Sequence, residues 1–322
     1  MIGSFTALVA LALSAFMPQA QAQDFPVRPI TLLVGLAPGG VTDVMARIYA
    51  DPVSKIIGQK VIVENRPAAS GAVAATALQH APPDGYTLLI FSGSQNATIP
   101  AIEANAAYDP VKGAQPITLL FNIATIVAVP ANSTVNSFSE LIALGKQKPG
   151  GLTFGSPGVG TPAHLISAKL MTMTKTPVQF VHYRGGAPMM ADLLTGRLDV
   201  AMLSTPLAKP HLLGKQLKAL AIDGPGRWSL IPDVPTLQEL GVGDASVAGW
   251  FGVAAAPGTP PAIIGKLHDA FTAAARDPDV KRRIEENGLT VATSTPEEMG
   301  RLMVKEAADI AQLVRTLGLR KP

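Results

Sequence analysis

The sequence predicts a two-lobed α/β protein. Three observations carry that expectation. Short apolar runs alternate with helical stretches along most of the chain, the alternation restarts near Ala124, and each half holds a glycine-rich turn between a strand and a helix start. Alternating strands and helices imply mostly parallel sheets flanked by helices. A length of 322 residues suits about two domains, and 48% hydrophobic residues supply sizeable cores.

The first element is the run Ile30 to Val34, apolar enough for a strand covered on both faces. Ala37-Pro38-Gly39-Gly40 follows, with two glycines free to take positive φ and to let a guest approach the backbone. Thr42 and Asp43 then read as helix-start residues. The N–H groups of such a turn form a ready anion site. Asp43 has three readings: stabilising its own helix start, which is favoured, meeting a ligand amine, or serving as a general base. Pro52 should kink or end the first helix. Val61-Ile62-Val63 is a strand, with a turn at Glu64 to Pro67. Gly71 to His80 is helical, Thr87 to Phe91 is a second buried strand, and Ser92 to Asn96 ends it with small polar groups.

In the second half, Ser137 and Glu140 have capping-box spacing, which starts a helix at Phe138. Leu152-Thr153-Phe154 is a strand leading into the turn Gly155 to Thr161, where Thr161 is an N-cap and Pro162 occupies the first helical position. Val178 to His182 and Leu198 to Leu203 are strands around a helix over Ala187 to Thr195. Thr236 and Glu239 repeat the capping-box spacing. Ala248 to Ala256 reads as a strand, and the remainder is helical over Pro261 to Arg276, Pro278 to Glu286 and Pro296 to Leu317. The stretches Ile117 to Val129 and Ala248 to Ala256 are the candidates for crossing between lobes. If both cross, the hinge has two strands, with one discontinuous domain over 23–123 and 248–322 and another over 124–247.

Residues 1–22 read as a signal peptide. Phe5 to Met17 is a short apolar run, and Ala20-Gln21-Ala22 gives a small-x-small cleavage pattern before Gln23. No later segment resembles a membrane span. The chain has no cysteine, which excludes disulfides, thiol catalysis and a lipidated cysteine anchor. A net charge of +3 without any run of five basic residues argues against nucleic acid as a partner.

Catalytic and cofactor patterns are missing. No Gly-x-Ser-x-Gly elbow, phosphate loop or complete dinucleotide fingerprint occurs. His80, His164, His182, His211 and His268 lack metal-ligand spacing, so neither a metal nor a cofactor is expected. His164 reads as a structural hydrogen-bonding group ahead of a general base. Tyr183-Arg184-Gly185 follows a strand and is placed to line a cleft, and Trp250-Phe251 reads as packing ahead of ligand contact. Two glycine turns, one per lobe, are placed to hold a carboxylate between two helix N-termini without Lys or Arg.

Together these residues carry a resemblance. Phe25-Pro26-x-Arg28-Pro29-Ile30 and Ala37-Pro38-Gly39-Gly40-x-Thr42-Asp43-x-x-Ala46-Arg47 resemble the start of the Bug-type solute-binding proteins of tripartite tricarboxylate transporters. In the same order come Val63-Glu64-Asn65-Arg66-Pro67, Pro83-Asp84-Gly85-Tyr86-Thr87-Leu88 and Asp109-Pro110-x-Lys112. Gly155-x-x-Gly158-x-Gly160-x-x-x-His164-Leu165, Tyr183-Arg184-Gly185, Pro232-Asp233-Val234-Pro235-Thr236 and Gly249-Trp250-Phe251-Gly252 complete the series.

The resemblance implies a type II periplasmic-binding-protein fold that closes on a small organic anion, and membrane transporter subunits as partners of a monomeric receptor. It places Leu36, Ala37, Gly39, Gly40, Thr42 and Asp43 in a first contact loop. Ser156, Gly158, Gly160, Thr161 and His164 fall in and just after the second. Ser92, Ser94, Asn96, Tyr183 and Arg184 add side-chain contacts. Gly35-Leu36 replaces the family's usual Pro-Phe, so a smaller side chain at position 36 should admit a bulkier acid. The alternatives are a periplasmic hydrolase using Ser156 and His164, and a ligand-sensing subunit of a signalling system.

Overall fold

The computed structural model describes residues 25–68, 71–103, 106–159, 161–224, 226–243 and 249–319. The signal-peptide segment, Gly160 and Ala248 lie outside the described residues.

Among the described residues, eleven strands form two sheets. The first contains β1 (Ile30–Val34), β2 (Val61–Asn65), β3 (Thr87–Ser92), β4 (Gln115–Asn122), β10 (Trp250–Ala255) and β11 (Thr290–Val291), in the order β11-β4-β10-β3-β1-β2. The second contains β5 (Thr125–Pro130), β6 (Leu152–Ser156), β7 (Val178–His182), β8 (Val200–Ser204) and β9 (Leu217–Asp223), in the order β7-β6-β8-β5-β9.

In each sheet most strands run in one direction, as expected, but both sheets are mixed: β10 and β11 oppose the rest of the first, and β5 opposes the rest of the second. β1 pairs in parallel with β2 and β3, but β10 runs antiparallel to β3 and β4. In the second sheet β6 is parallel to β7 and β8, while β5 is antiparallel to β8 and β9. The reason is connectivity. Right-handed β-α-β crossovers build the parallel half of each sheet. The strands that arrive from the other sheet, β5 and β10, enter against that direction. The chain passes between sheets at residues 122–125 and again between β9 and β10.

The helices are α1 (Val41–Ile57), α2 (Ala72–Gln79), α3 (Ile99–Ile102), α4 (Phe138–Gln147), α5 (Pro162–Met173) and α6 (Gly186–Leu194). They continue with α7 (Thr205–Leu213), α8 (Pro261–Ala275), α9 (Pro278–Glu286) and α10 (Pro296–Thr316). Pro52 does not end α1. It is half-buried on the same helical face as Met45, Ile48 and Tyr49, and with Val53 these residues pack that face into the core shared with α8. Burial on that face outweighs the roughly 3 kcal/mol cost of an interior proline.

The expected caps form on α4, α5 and α10. Ser137 accepts from the Glu140 amide, Thr161 from the His164 amide, and Thr295 and Glu298 complete a reciprocal box. Thr236 and Glu239 also make both capping-box bonds, but they close only a turn, which Gly241 ends at φ +74°. The turn expected from Glu64 begins later, since β2 continues through Asn65. A π-helical turn at Ser94–Thr98, together with α3, α7 and β9, adds elements that the sequence reading left unassigned.

α10 ties the two lobes together. Met299 and Met303 near its start pack in the first lobe with Phe91 and Trp250. Ile310 and Val314 near its end pack in the second lobe with Phe154 and Leu170, as do Ala97 and Ile102 from the π turn and α3. The lobes are therefore joined by two chain crossings and by a helix spanning both cores.

Candidate functional site

A cavity of about 420 Å³ opens between the lobes. Ser92, Gly93 and Ser94 reach it from the carboxyl end of β3, Ile123 and Thr125 from one crossing, and Gly249, Trp250 and Phe251 from the other. In the second lobe, three helices begin at its wall. Thr161, Pro162 and Ala163 open α5, Gly186 and Ala187 open α6, and Ser204 is the N-cap of α7. Each sits just past a strand's carboxyl end, the usual ligand position in open α/β sheets. Each helix start carries partial positive charge. Pro162 and Pro206 have no N–H, and the His164 and Thr205 amides donate to Thr161 Oγ1 and the Ala124 carbonyl, which leaves those of Ala163, Gly186, Ala187 and Leu207 outside the intrahelical ladder. No Lys or Arg is among the described residues lining the cavity, so these backbone groups supply its positive potential.

Of the residues singled out in sequence, Ser92, Ser94 and Thr161 line this cavity. Gly160 lies outside the described residues. Leu36, Ala37, Gly39 and Gly40 form an exposed turn and are not among the residues lining the cavity. Gly39 alone takes positive φ, at +77°; Gly40 is extended at φ −72°, which corrects the expectation of two left-handed glycines.

Thr42 and Asp43 are buried. The Asp43 carboxylate accepts from the Gly39 amide at 2.9 Å and from the Arg47 guanidinium at 3.0 and 3.1 Å. Burial pushes its carboxyl up, but the Arg47, Gly39 and Asn65 hydrogen bonds outweigh that and hold it below the usual range. The Gly39 amide is therefore already occupied by Asp43.

Ser156 is buried and committed to its own turn. Its hydroxyl donates to the Gly158 carbonyl at 3.0 Å and accepts from the Gly158 amide at 3.3 Å. His164 is buried edge-on to Phe180 and to His182, whose ring centroid lies 4.6 Å away. Burial, and then the neighbouring His182, lowers its pKa to about 4, so it is neutral at physiological pH. Burial also lowers His182. Tyr183 donates its hydroxyl to Asp192 at 2.7 Å, and burial followed by that bond raises its pKa to about 12. The Tyr183 amide donates to the Ser156 carbonyl and the Gly185 amide to that of Pro157, which joins the two loops. Arg184 is exposed and stands outside the cavity wall.

Asn96 sits behind the wall, fully buried. Its Nδ2 donates to the Met303 carbonyl and to Glu306, while its Oδ1 has no hydrogen-bond partner among the described residues. Trp250 and Phe251, read from sequence as packing, do both: they pack and they face the cavity. Met189, Met202, Ile166, Leu207 and Asp223 were missed. Ser204-Thr205-Pro206 had offered a signal, because it repeats the small-polar-then-proline helix start of Thr161-Pro162.

Two α/β lobes on mixed sheets, with a cavity between them at converging helix starts, define a two-lobed solute-binding protein. The chain belongs to the tripartite tricarboxylate transporter family of receptors, whose family model matches residues 45–319. It is 37% identical over 321 residues to the Cupriavidus necator protein described as the UPF0065 protein in gbd 5'region, covering 99% of this chain and 96% of that one. The Rhodopseudomonas palustris protein Rpa4515, solved with adipate, is 31% identical with a TM-score of 0.77, covering 92% of this chain and 99% of its own. MatC from the same organism, solved with malate, is 29% identical with a TM-score of 0.72, covering 90% of this chain and all 100% of its own. The family's members are solute receptors rather than enzymes.

Proposed function

We propose that this receptor binds a small organic carboxylate in the interlobe cavity and presents it to transporter subunits from the periplasm, as a monomer and without chemical change. The observation carrying the reading is the convergence of three helix starts, from α5, α6 and α7, on a cavity with no Lys or Arg among its described lining residues. Such a site favours an anion through backbone N–H groups alone. The adipate and malate bound by the two Rhodopseudomonas relatives support a carboxylate. Against catalysis, Ser156 spends its hydroxyl on Gly158, and His164 is held between aromatic rings. No helix among the described residues is long and apolar enough to cross a membrane.

The division proposed is 23–123 with 248–322, and 124–247, with the end of α10 moving with the second lobe because Ile310 and Val314 pack there. The loops Leu36 to Asp43 and Gly155 to Thr161 are proposed to meet the ligand when the lobes close.

A thermal-shift screen of mono-, di- and tricarboxylates, amino acids and matched amides tests the reading. A ligand at a hundred times its dissociation constant adds about 2.7 kcal/mol of stability. Carboxylates are expected to dominate and to be recovered intact after hours. Hits among amides alone, or steady turnover of a hit, would overturn the proposal.

A further inference from the structure

The cavity wall is unusually poor in groups that recognise a second charge. Apart from the helix starts and the hydroxyls of Ser92, Ser94 and Thr125, its side chains are mostly apolar: Ile123, Ile166, Met189, Met202, Leu207 and the rings of Trp250 and Phe251. The one ionisable side chain among the described lining residues, Asp223, is acidic.

The polar atoms that remain are largely committed. Trp250 has one polar atom, its indole N–H, and this donates to Glu306 Oε2 at 2.9 Å, behind the wall. Only hydrocarbon and π surface is left to face the cavity. Phe251 is fixed by stacking on Phe121, with centroids 4.7 Å apart and planes 11° from parallel. The Thr161 hydroxyl donates to the Gly158 carbonyl and accepts from the His164 amide. That of Ser92 donates to Gln95 Oε1, and that of Thr125 donates to the Met202 sulfur. A ligand therefore meets helix-start N–H groups on one side and mainly apolar, sulfur and aromatic surface on the others, with the Ser94 and Ser204 hydroxyls as the neutral polar side chains left to it.

From this we infer that the site selects a monocarboxylate carried on a compact apolar body, an aromatic ring fitting best. The inference rests on the carboxylate reading above and narrows it. The charged end takes the helix starts. The ring lies among Trp250, Phe251, Met189 and Met202, where offset aromatic packing and sulfur–ring contacts are favourable. A volume of about 420 Å³ is in the ordinary range for small-molecule pockets and leaves room for a ring. A second carboxylate would be buried without a cation, next to the Asp223 carboxyl, and would lose its water without compensation.

The test uses the full-length mature protein with Trp228→Phe, so that Trp250 is the only tryptophan. Benzoate, phenylacetate, hexanoate, malate, adipate and benzamide are titrated by calorimetry and by tryptophan emission. Benzoate or phenylacetate is expected to bind about tenfold or more tighter than malate and adipate, because ring burial adds to the shared carboxylate contact. The same ligand should change Trp250 emission, and benzamide should fail.

Malate or adipate binding as tightly as the aromatic acids would overturn the inference and leave the carboxylate reading standing. Benzamide binding while every acid fails would overturn the reading itself. An aromatic acid that binds without changing Trp250 emission sits elsewhere, which also overturns the inference, and no binding by any acid overturns both. Leu207→Lys, on the partly exposed rim, supplies the missing cation and is expected to raise adipate affinity relative to benzoate. Met202→Gln should weaken the aromatic acids and leave malate unchanged. An unaltered benzoate-to-adipate preference in both variants would show that these positions do not set selectivity.

Discussion

Trp250 and Glu306 meet at 2.9 Å, indole N–H to carboxylate oxygen, at the point where the cavity wall touches the helix joining both lobes. Trp250 begins β10 just after the second crossing, and Glu306 lies on α10 between the residues packed in the first lobe and those packed in the second. Asn96 from the π turn bonds the same carboxylate oxygen at 3.2 Å. One buried acid thus joins a crossing strand, the connecting helix and the turn after β3.

Protonation of that acid should govern part of the protein's stability. Burial raises the Glu306 carboxyl from 4.5 to about 7, the Trp250 and Asn96 bonds pull it down, Asp309 raises it and Lys305 lowers it. Between those two pH values the folded state holds a proton that the unfolded chain has released. The contribution is therefore complete below about 4.5 and is lost as pH rises through 7. A shift of this size corresponds to roughly 3 kcal/mol. Glu306→Gln, which stays neutral and can donate toward the orphaned Asn96 Oδ1, is expected to flatten the fall in urea-unfolding free energy between pH 5 and pH 8. Retention of the wild-type slope would assign it to other groups.

Asp43 should show the opposite dependence. Its lowered pKa gives stability that is present above the unfolded value and is lost as pH falls through the folded one. Asp43→Ala removes the acceptor for the Gly39 amide and frees the Arg47 fork. A loss of about 1–3 kcal/mol is expected, with acid unfolding less steep than in the parent. Chemical denaturation at pH 7 and pH 4 measures both effects.

Much of this architecture was legible in local chemistry. Ser137, Thr161 and Thr295 announced their helices, since an N-cap acts within a few residues and leaves a short-range trace. The failures have a different source. Strand direction depends on which sheet a segment joins, so β5 and β10 could not reveal that they run antiparallel to their new neighbours. Pro52 shows tertiary burial overriding a local rule. Within the site, Thr161 and Ser92 followed from glycine-turn and strand-end chemistry. Met189 and Met202 did not, because an inward-facing methionine looks the same in sequence whether it fills a core or borders a cavity.

The first glycine turn allows a sharp comparison. A Cβ at Gly39 meets nothing within 4 Å, so space does not forbid a side chain there; φ of +77° does. At Gly40 the backbone is ordinary, and a Cβ would sit 3.2 Å from the Ala37 carbonyl oxygen. Gly39→Val should cost about 1–3 kcal/mol through backbone strain, and Gly39→Asn should cost less because Asn tolerates the left-handed region. Gly40→Ala should be the milder of the alanine replacements. Equal losses at Gly39 and Gly40 in thermal unfolding would contradict the conformational assignment.

Closure can be measured at the two loop tips. Leu36 is 42% exposed and Val159 is 57% exposed, one at the tip of each lobe's glycine loop. Large apolar side chains left in water gain by being covered, and a ligand touching both lobes would supply the differential affinity that shifts an open–closed equilibrium. The natural chain has no cysteine, so Leu36→Cys and Val159→Cys each introduce one unique thiol. In each variant a saturating ligand is expected to slow thiol labelling severalfold, and scattering should show a smaller radius of gyration. A control thiol at Val304→Cys, an exposed position on α10 away from both tips, should label at the same rate with and without ligand. Slowed labelling at both tips but not at the control would mean that the lobes close over the site. Unchanged rates at both tips under saturation would mean that binding occurs without closure, and that the exposed Leu36 turn takes no part in holding the ligand.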